Sequence, residues 1–237
     1  MSNYAGANKR YDIVLLDADE TIFDFKRAED HSLRLLLKSY DITPTDELVL
    51  QYSAINLALW KALERGEVTR EKLKVERFER FFTQIGRSDI DYAQANDRYL
   101  TNLSNSTFLI DNAEQFVREL HKYCKIYFAT NGLTKAQIGR FSQSAVKDDF
   151  DGAFISEQIG FAKPDKAYFD YIFDTLKIED KSRVIIVGDS LTSDMLGGKN
   201  AGITTCLFNR SGNCVESDLC DYQIESYDEF FDILFES

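Results

Sequence analysis

The feature that most constrains the fold of this chain is a set of short, mainly apolar runs, three of which are followed directly by polar residues or glycine. These runs cover residues 13–16, 126–129, 184–187 and 203–207. Apolar runs of this length are typical of the central strands of a parallel sheet, because such strands are covered on both faces. Amphipathic helical patterns separate the later runs, and this alternation indicates βαβ units. We therefore predict an α/β protein with a doubly wound parallel sheet.

The segment between the first two runs has a different pattern. Its apolar residues recur at helical spacing, and no strand pattern is present between about residues 26 and 103. Gly66 and Gly86 stand where helices could end. We predict that residues 25–103 form an inserted helical cap, and that residues 1–24 and 104–237 form the α/β core. The core is expected to resume near Asp111, which with Glu114 has the spacing of a helix start.

Composition narrows the classes of partner. The chain has 237 residues, a hydrophobic fraction of 44% and a net charge of −12. A sizeable core can therefore form, while an acidic surface argues against a nucleic acid polymer or an anionic membrane as partner. No apolar run approaches the ~20 residues that span a bilayer, and residues 1–10 lack the apolar core of a signal peptide. The sequence carries no prediction of oligomeric state.

The four cysteines have no CxxC spacing. Reduced thiols are more common than a zinc site or a disulfide in such a pattern, so we expect a cytoplasmic protein. Cys124 and Cys206 border or lie in apolar runs, which predicts that they are small buried hydrophobes.

Two carboxylates follow the first run, in the sequence Asp17-Ala18-Asp19-Glu20-Thr21. Ligands of open α/β sheets bind beyond the carboxyl ends of the strands. One carboxylate there can act as a nucleophile and metal ligand, and the other can donate and then accept a proton. The spacing alone is more common on solvated loops, but its position at the end of a buried strand favours catalysis.

The second run ends at Thr130-Asn131-Gly132, whose hydroxyl and backbone N–H groups suit a phosphate oxygen. Thr134 and Gln137 have capping-box spacing, which predicts a helix N-terminus beside Thr130 that would favour an anion. The alternative is an ordinary Asn-Gly turn.

The third run ends at Gly188-Asp189-Ser190, and Asp194 follows five residues after Asp189. A hard divalent cation takes oxygen ligands, and Asp17, the Asp19 carbonyl and Asp189 could supply them. Asp194 could bind through water or orient the other ligands, or could simply be a carboxylate in the first turn of a helix. Clustered carboxylates and a phosphate also need positive charge, for which Lys163 is the natural candidate.

Together, Asp17-x-Asp19-x-Thr21, Thr130, Lys163-Pro164 and Gly188-Asp189 with Asp194 resemble the four motifs of the haloacid-dehalogenase-like hydrolases. The resemblance covers nearly the whole chain and implies a Rossmannoid core, a mobile helical cap and an aspartyl-phosphate intermediate. It also implies Mg²⁺ as cofactor, with Mn²⁺ able to substitute. Asp17 would be the nucleophile, Asp19 the acid/base, Thr130 and Lys163 the phosphoryl-binding groups, and Asp189 the outer metal ligand.

Longer segments are similar to the bacterial pyrimidine nucleotidases, which remove the 5′-phosphate of nucleoside monophosphates. The segments are residues 17–23, 77–79, 130–134, 155–165 and 193–198. The resemblance predicts a small phosphate ester as substrate, with contacts from Thr21, Phe23, Asn131 and Gly132. Phe25, just after the catalytic loop, is also expected to face the substrate. For Trp60 and Phe78, core packing is the favoured interpretation.

Several alternatives stay open at this point. A sugar-phosphate phosphatase or a phosphomutase of the same superfamily would need the same catalytic residues. A haloacid dehalogenase is disfavoured because halide leaves unprotonated and would not need Asp19. A phosphate-binding switch protein would also pair an Asp with a Thr and a Lys, but such signalling domains are about half as long and lack a helical insertion.

Overall fold

The structure is a computed structural model that describes residues 8–213 and 215–235. Its sheet has six strands in the order β3-β2-β1-β4-β5-β6, and all neighbouring pairs are parallel. The strands are β1 (Ile13–Leu16), β2 (Lys125–Thr130), β3 (Gly152–Ile155), β4 (Val184–Gly188), β5 (Thr204–Phe208) and β6 (Tyr222–Ile224). The predicted doubly wound α/β sheet is confirmed, although β3 and β6 were not predicted.

Helices cover both faces of the sheet and fill the segment between β1 and β2. The helices of that segment are α1 (Phe25–Lys38), α2 (Asp46–Glu64), α3 (Arg70–Gln84) and α4 (Tyr92–Ser104). The remaining helices are α5 (Ala113–Leu120), α6 (Thr134–Gln143), α7 (Ser156–Ile159), α8 (Lys166–Leu176), α9 (Leu196–Ala201) and α10 (Tyr227–Phe235). A 3₁₀ turn (Lys181–Arg183) precedes β4, and a π-helical turn (Leu191–Met195) precedes α9.

The central strands are buried on both faces, which explains why their sequences do not alternate. On one face Leu15 and Ile186 pack with Phe169 of α8. On the other face Val14 and Leu16 belong to a cluster that includes aromatic residues of α5 and α10. Cys124 and Cys206 are buried in this second cluster, as predicted, while Cys214 lies outside the described residues.

Helices α1 to α4 share a core of their own, in which Tyr52, Phe78 and Tyr99 contact one another. This core also includes Leu133 and Ala136, which belong to the start of α6 and the turn before it. The predicted helix ends at Gly66 and Gly86 are confirmed, since both glycines follow a helix with positive φ angles of 71° and 73°. We refer to residues 25–104 as the helical module.

One local feature differs from the sequence analysis. Helix α5 begins at Ala113, and Asn112 rather than Asp111 occupies its N-cap, in a left-handed conformation without a side-chain capping bond. No helix among the described residues is long and apolar enough to cross a membrane.

Candidate active site

Three neighbouring strands bring the predicted polar residues to one edge of the sheet. Leu16 of β1 is in register with Phe128 of β2 and Val187 of β4. Thr130 ends its strand, and Asp17 and Asp189 directly follow theirs. All three residues therefore lie at nearly the same level along the strand direction. Carboxylate oxygens of Asp17, Asp189 and Asp194 all lie within 4.8 Å of one another.

Lys163 lies in the middle of this cluster and is 2% exposed. Its Nζ donates to Asp17 Oδ1 and to Asp194 Oδ1, both at 2.6 Å, and also to the Ala129 carbonyl oxygen. Burial by itself would lower the pKa of Lys163, but the Asp17 and Asp194 carboxylates raise it above its ordinary value. The lysine is therefore a permanent positive charge beside Asp17.

Asn131 holds the lysine in place. Its side-chain amide donates to the Lys163 carbonyl oxygen at 2.8 Å and accepts from the Lys163 backbone N–H at 2.9 Å. Asn131 lines the cavity, as does Gly132, but its amide is engaged with the main chain. In the structure the Asn131 amide therefore orients Lys163, whereas the sequence analysis predicted that it contacts the substrate.

The carboxylates of the cluster have perturbed acidity. Burial raises the pKa of Asp17 well above its ordinary value, opposed by Lys163 and reinforced by Asp194, Asp189 and Asp19. Loss of water contact also raises the pKa of Asp189, with Asp194 adding to the effect, to about 7. The Asp189 side chain is at the same time exposed towards the cavity, so a ligand can reach it from solvent.

The donor set fits a hard divalent cation. Four carboxylates, those of Asp17, Asp19, Asp189 and Asp194, lie here beside two cations, Lys163 and Arg140, which form ion pairs with all but Asp189. Two negative charges are left uncompensated, and all the available donors are oxygen atoms, the ligands that Mg²⁺ prefers. Asp17 and Asp189 are the residues best placed to hold the ion, because Asp194 already accepts from Lys163 and from the Ser190 backbone N–H.

Asp19 is held at both oxygens by helix α6. Gln137 Nε2 donates to Asp19 Oδ2 at 2.8 Å and to Thr130 Oγ1 at 3.2 Å, and Arg140 Nη1 donates to Asp19 Oδ1. Arg140 is completely buried, and its guanidinium lies over the Phe23 ring, 4.3 Å from the centroid. These two contacts fix the orientation of the predicted acid/base residue.

The sequence analysis missed Arg140 and misassigned Gln137. The predicted helix N-terminus beside Thr130 is present, since α6 begins at Thr134. The predicted capping box is wrong, because the N-cap Leu133 makes no side-chain capping bond and the Thr134 N–H donates instead to Glu157 Oε2 at 2.6 Å. The only hint in the sequence was that Gln137 and Arg140, three residues apart, would lie on the same face of the helix.

Two glycines permit close approaches at the site. A Cβ on Gly132 would lie 2.1 Å from Gln137 Nε2, and one on Gly188 would lie 2.2 Å from Asp194 Oδ2. Both distances are far below van der Waals contact, so any side chain here would displace a residue that contacts the catalytic carboxylates. Thr130 is buried, and its Oγ1 accepts from the Gly132 backbone N–H at 3.0 Å.

The carboxylate cluster opens into a cavity of about 680 Å³ between the sheet edge and the helical module. Phe25 and Trp60 line this cavity. Phe23 does not, because its ring is completely buried and stacks on Phe128 at 5.7 Å. Thr21 is also completely buried, so neither of these two residues is brought to the cavity as the sequence analysis expected.

Arg210, in the segment after β5, contacts the loop that carries Asp17 and Asp19. Arg210 Nη2 donates to Glu20 Oε2 at 2.6 Å. The other oxygen of Glu20 accepts from the Lys26 backbone N–H at 3.0 Å, and Glu20 itself has a positive φ of 58°. Arg210 thus braces the turn that follows Asp19.

Residues 11–202 match the family model of haloacid dehalogenase-like hydrolases. With this match and the sheet-edge carboxylates described above, the chain belongs to the haloacid dehalogenase-like hydrolase family.

Relatives within this family point to phosphate chemistry. The chain is 36% identical over 227 residues to the HAD-hydrolase YfnB of Bacillus subtilis, covering 95% of this chain and 96% of YfnB. It is 34% identical to the pyrimidine 5′-nucleotidase PynA of Streptococcus pneumoniae, covering 94% and 95% of the two chains. It is 32% identical to the pyrimidine 5′-nucleotidase YjjG of Escherichia coli, covering 84% and 87%.

A crystal structure of YfnB bound to magnesium, which reveals interdomain movement, has the same fold. Its TM-score to this chain is 0.88 at 35% sequence identity, covering 95% of this chain and 99% of the YfnB chain.

Proposed function

We propose that this protein hydrolyses phosphate monoesters through an aspartyl phosphate on Asp17, and that its substrates are pyrimidine nucleoside monophosphates. One observation carries the proposal: Asp17 and Asp19 stand at the end of β1, with Lys163 bonded to the first and Arg140 to the second. The likeness to PynA and YjjG supports the choice of a nucleotide as substrate.

In the first step a carboxylate oxygen of Asp17 attacks phosphorus. Lys163 is bonded to Oδ1 of Asp17, which leaves the second oxygen for the attack. The ammonium group also stabilises negative charge that develops on the phosphoryl oxygens. Thr130 and the N-terminus of α6 contribute polar hydrogens on the opposite side. A bound Mg²⁺, held by Asp17, Asp189 and the Asp19 carbonyl, would supply further neutralisation of the phosphate.

Asp19 carries the proton. It donates a proton to the leaving alkoxide oxygen and then takes one from the water that hydrolyses the aspartyl phosphate. Because Gln137 and Arg140 hold both oxygens of Asp19, its carboxyl group needs little reorientation between the two steps. This need for a proton donor is the reason that we favour an ester over a halide as leaving group.

The helical module would act as a cap over the cavity. Some of its contacts with the core are polar: Lys74 Nζ lies 2.5 Å from Glu157 Oε1, and Arg70 Nη2 donates to Ser156 Oγ at 2.8 Å. Others are apolar, since Leu133 and Ala136 pack into the core of the module. Polar contacts of this kind exchange readily with water, which suits a cap that opens and closes. We keep the boundaries 25–103 for the cap as part of this proposal, together with a cytoplasmic location and Mn²⁺ as a substitute ion.

The test is phosphate release from a panel of esters, with Mg²⁺ or Mn²⁺ and with EDTA. The panel contains UMP, dTMP, CMP, purine monophosphates, sugar phosphates and an aryl phosphate. Metal-dependent release that is fastest with pyrimidine monophosphates is the expected result. A preference for sugar phosphates would leave the mechanism intact and overturn the nucleotide assignment. No release from any ester would overturn the phosphatase proposal in favour of a phosphate-binding switch.

A further inference from the structure

The part of the cavity that faces away from the carboxylates has mainly apolar walls. Besides Phe25 and Trp60, it includes Leu50 and Leu57, which are 70% and 56% exposed. These leucines are two turns apart on one face of α2. Flat apolar and aromatic walls fit an unsaturated ring better than they fit a free sugar, whose hydroxyls need hydrogen-bond partners throughout.

One polar cluster interrupts this apolar wall. Glu29 of α1 is 6% exposed, Asn56 of α2 is 2% exposed and Arg77 of α3 is 2% exposed, and all three line the cavity. Asn56 Nδ2 donates to Glu29 Oε1 at 2.7 Å, and Arg77 Nη1 donates to Asn56 Oδ1 at 3.2 Å. Ser53, which also lines the cavity, donates its hydroxyl to Glu29 Oε2.

The cluster has unused hydrogen-bonding capacity. Each Glu29 oxygen accepts one hydrogen bond from the protein, although a carboxylate oxygen can accept two. Arg77 Nε is buried with no hydrogen-bond partner within the described ranges. Burial raises the pKa of Glu29, while the bonds from Ser53 and Asn56 and the charge of Arg77 act in the opposite direction. Both oxygens serve as acceptors, which is the bonding pattern of the carboxylate form.

Such a cluster is costly for stability alone. Well-packed apolar residues often replace a buried charged network without loss of stability. Here the charged network lies beside a cavity wall that is otherwise apolar. Glu29 of this cluster also lies on the helix that follows the Asp17–Thr21 loop, where Phe25 and Glu29 are one turn apart on the same face of α1. That spacing corresponds to about 6 Å along the helix axis, and both residues line the cavity.

We propose that Glu29, held by Ser53 and Asn56, is a specificity-determining residue that accepts a hydrogen bond from a ring N–H of the leaving nucleoside. This inference rests on the proposed nucleotidase function. Uracil and thymine carry such an N–H between two carbonyl oxygens, and the amide of Asn56 and the Arg77 guanidinium are neighbouring donors for those oxygens. The corresponding ring nitrogen of cytosine has a lone pair instead, which would face the carboxylate lone pairs. The site therefore favours uridine and thymidine monophosphates over cytidine monophosphate.

The test compares Glu29→Gln with the wild-type protein on UMP, dTMP, CMP and an aryl phosphate. Glu79→Gln, on the exposed side of α3, is the matched control. We expect kcat/KM for UMP and dTMP to fall by about 10- to 100-fold, the range of a lost hydrogen bond to a charged group. Hydrolysis of the aryl phosphate should be unchanged. Because cytosine offers Glu29 no ring N–H, CMP should lose less activity than UMP, and the ratio of UMP to CMP activity should fall. Glu79→Gln should behave as wild type on all four esters.

Binding of uridine, measured by calorimetry, gives a second readout that does not depend on turnover. It should weaken in Glu29→Gln by a factor similar to the loss in kcat/KM. Glu29→Asp keeps the charge but shortens its reach, and should give an intermediate loss. This variant also serves as the test if Glu29→Gln fails to fold.

The outcomes separate the two proposals. If the wild-type protein hydrolyses the aryl phosphate but no nucleotide, the nucleotide assignment fails and this inference fails with it. If it hydrolyses both classes and the Glu29 variants lower them equally, or lower neither, only the role of Glu29 is overturned. Equal wild-type activity on UMP and CMP would also overturn it.

Discussion

The two ends of the catalytic cavity are built in different ways. At the sheet edge, Asp17, Asp194 and Lys163 form a compact charged cluster with heavy-atom contacts of 2.6 Å. In the helical module, mainly apolar side chains line the wall, and a polar network centred on Glu29 interrupts it. In the proposed reaction the sheet edge would act on any phosphoryl group, and the module would distinguish one leaving group from another. Reaction and specificity would then be carried by separate parts of the fold.

The largest expected effect is that of Asp17→Asn, which tests the role of the sheet edge in hydrolysis. It removes the nucleophile, so hydrolysis of every ester, including the aryl phosphate, should fall at least about 1,000-fold. Lys163 keeps its partner Asp194, and the variant should stay folded, as judged by thermal denaturation. Asp174→Asn, at an exposed position on α8, is the control and should keep full activity. Substantial residual turnover in Asp17→Asn would rule out the covalent mechanism.

A second test concerns the support of Asp19. Arg140→Met removes the guanidinium from Asp19 but fills most of the buried space, and Gln137 still holds the other oxygen. Part of the acid/base contribution should be lost, and kcat should fall by about 10- to 100-fold for nucleotides and aryl phosphate alike. Arg118→Met, on the surface of α5, is the matched control. A loss confined to nucleotides would move Arg140 from the catalytic end of the cavity to the specificity end.

Trp60→Leu tests whether the helical module contributes to recognition of the base. This change keeps an apolar side chain but removes the aromatic face, and loss of base stacking should raise KM for UMP by about 3- to 10-fold. Activity on small sugar phosphates should change little. Phe161→Leu, at an exposed aromatic outside the cavity lining, controls for a general aromatic effect. An unchanged KM for UMP would mean that the base does not lie on Trp60.

The smallest expected effect is on stability and concerns the metal-free cluster. Folding raises the pKa of Asp189 from 3.8 to about 7, so the folded state binds more protons than the unfolded state between these values. The contribution of Asp189 to the free energy of unfolding in EDTA should therefore fall as the pH rises from about 4 to about 7. The raised pKa of Asp17 acts in the same direction.

Urea denaturation at several pH values checks this prediction. Asp189→Asn should flatten part of the pH dependence. At neutral pH, Mg²⁺ at about 100 times its dissociation constant should raise Tm of the wild-type protein by about 5 to 10 °C and have less effect on the variant. A pH dependence that is the same in Asp189→Asn as in the wild-type protein would contradict the raised pKa of Asp189.

The sequence analysis predicted the central strands well because their signal is local. Runs 13–16 and 184–187 are buried on both faces, and neither needs knowledge of its neighbours to be recognised as a strand. The edge strands β3 and β6 were missed, since short edge strands carry only weak patterns. Glycines 66 and 86 were correctly placed at helix ends because a left-handed backbone strongly favours glycine.

The candidate catalytic residues at strand ends were also accessible from the sequence, because the carboxyl ends of parallel strands lie at one edge of the sheet. Their partners were not. Arg140 binds Asp19 across 121 residues of sequence, and Glu29 binds Asn56 across 27. Phe23 illustrates the same point: its position beside the catalytic loop suggested a substrate contact, yet packing on Phe128 buries its ring completely.

The sequence by itself determined the class of fold, the strand ends that carry the chemistry and the charge of the residues that stand there. Only the tertiary structure decided which helix supports Asp19 and which side chains line the far end of the cavity. The physical reason is the range of the forces. Backbone preferences and apolar periodicity act within a few residues, whereas hydrogen bonds between buried side chains exist only after packing has brought distant segments together.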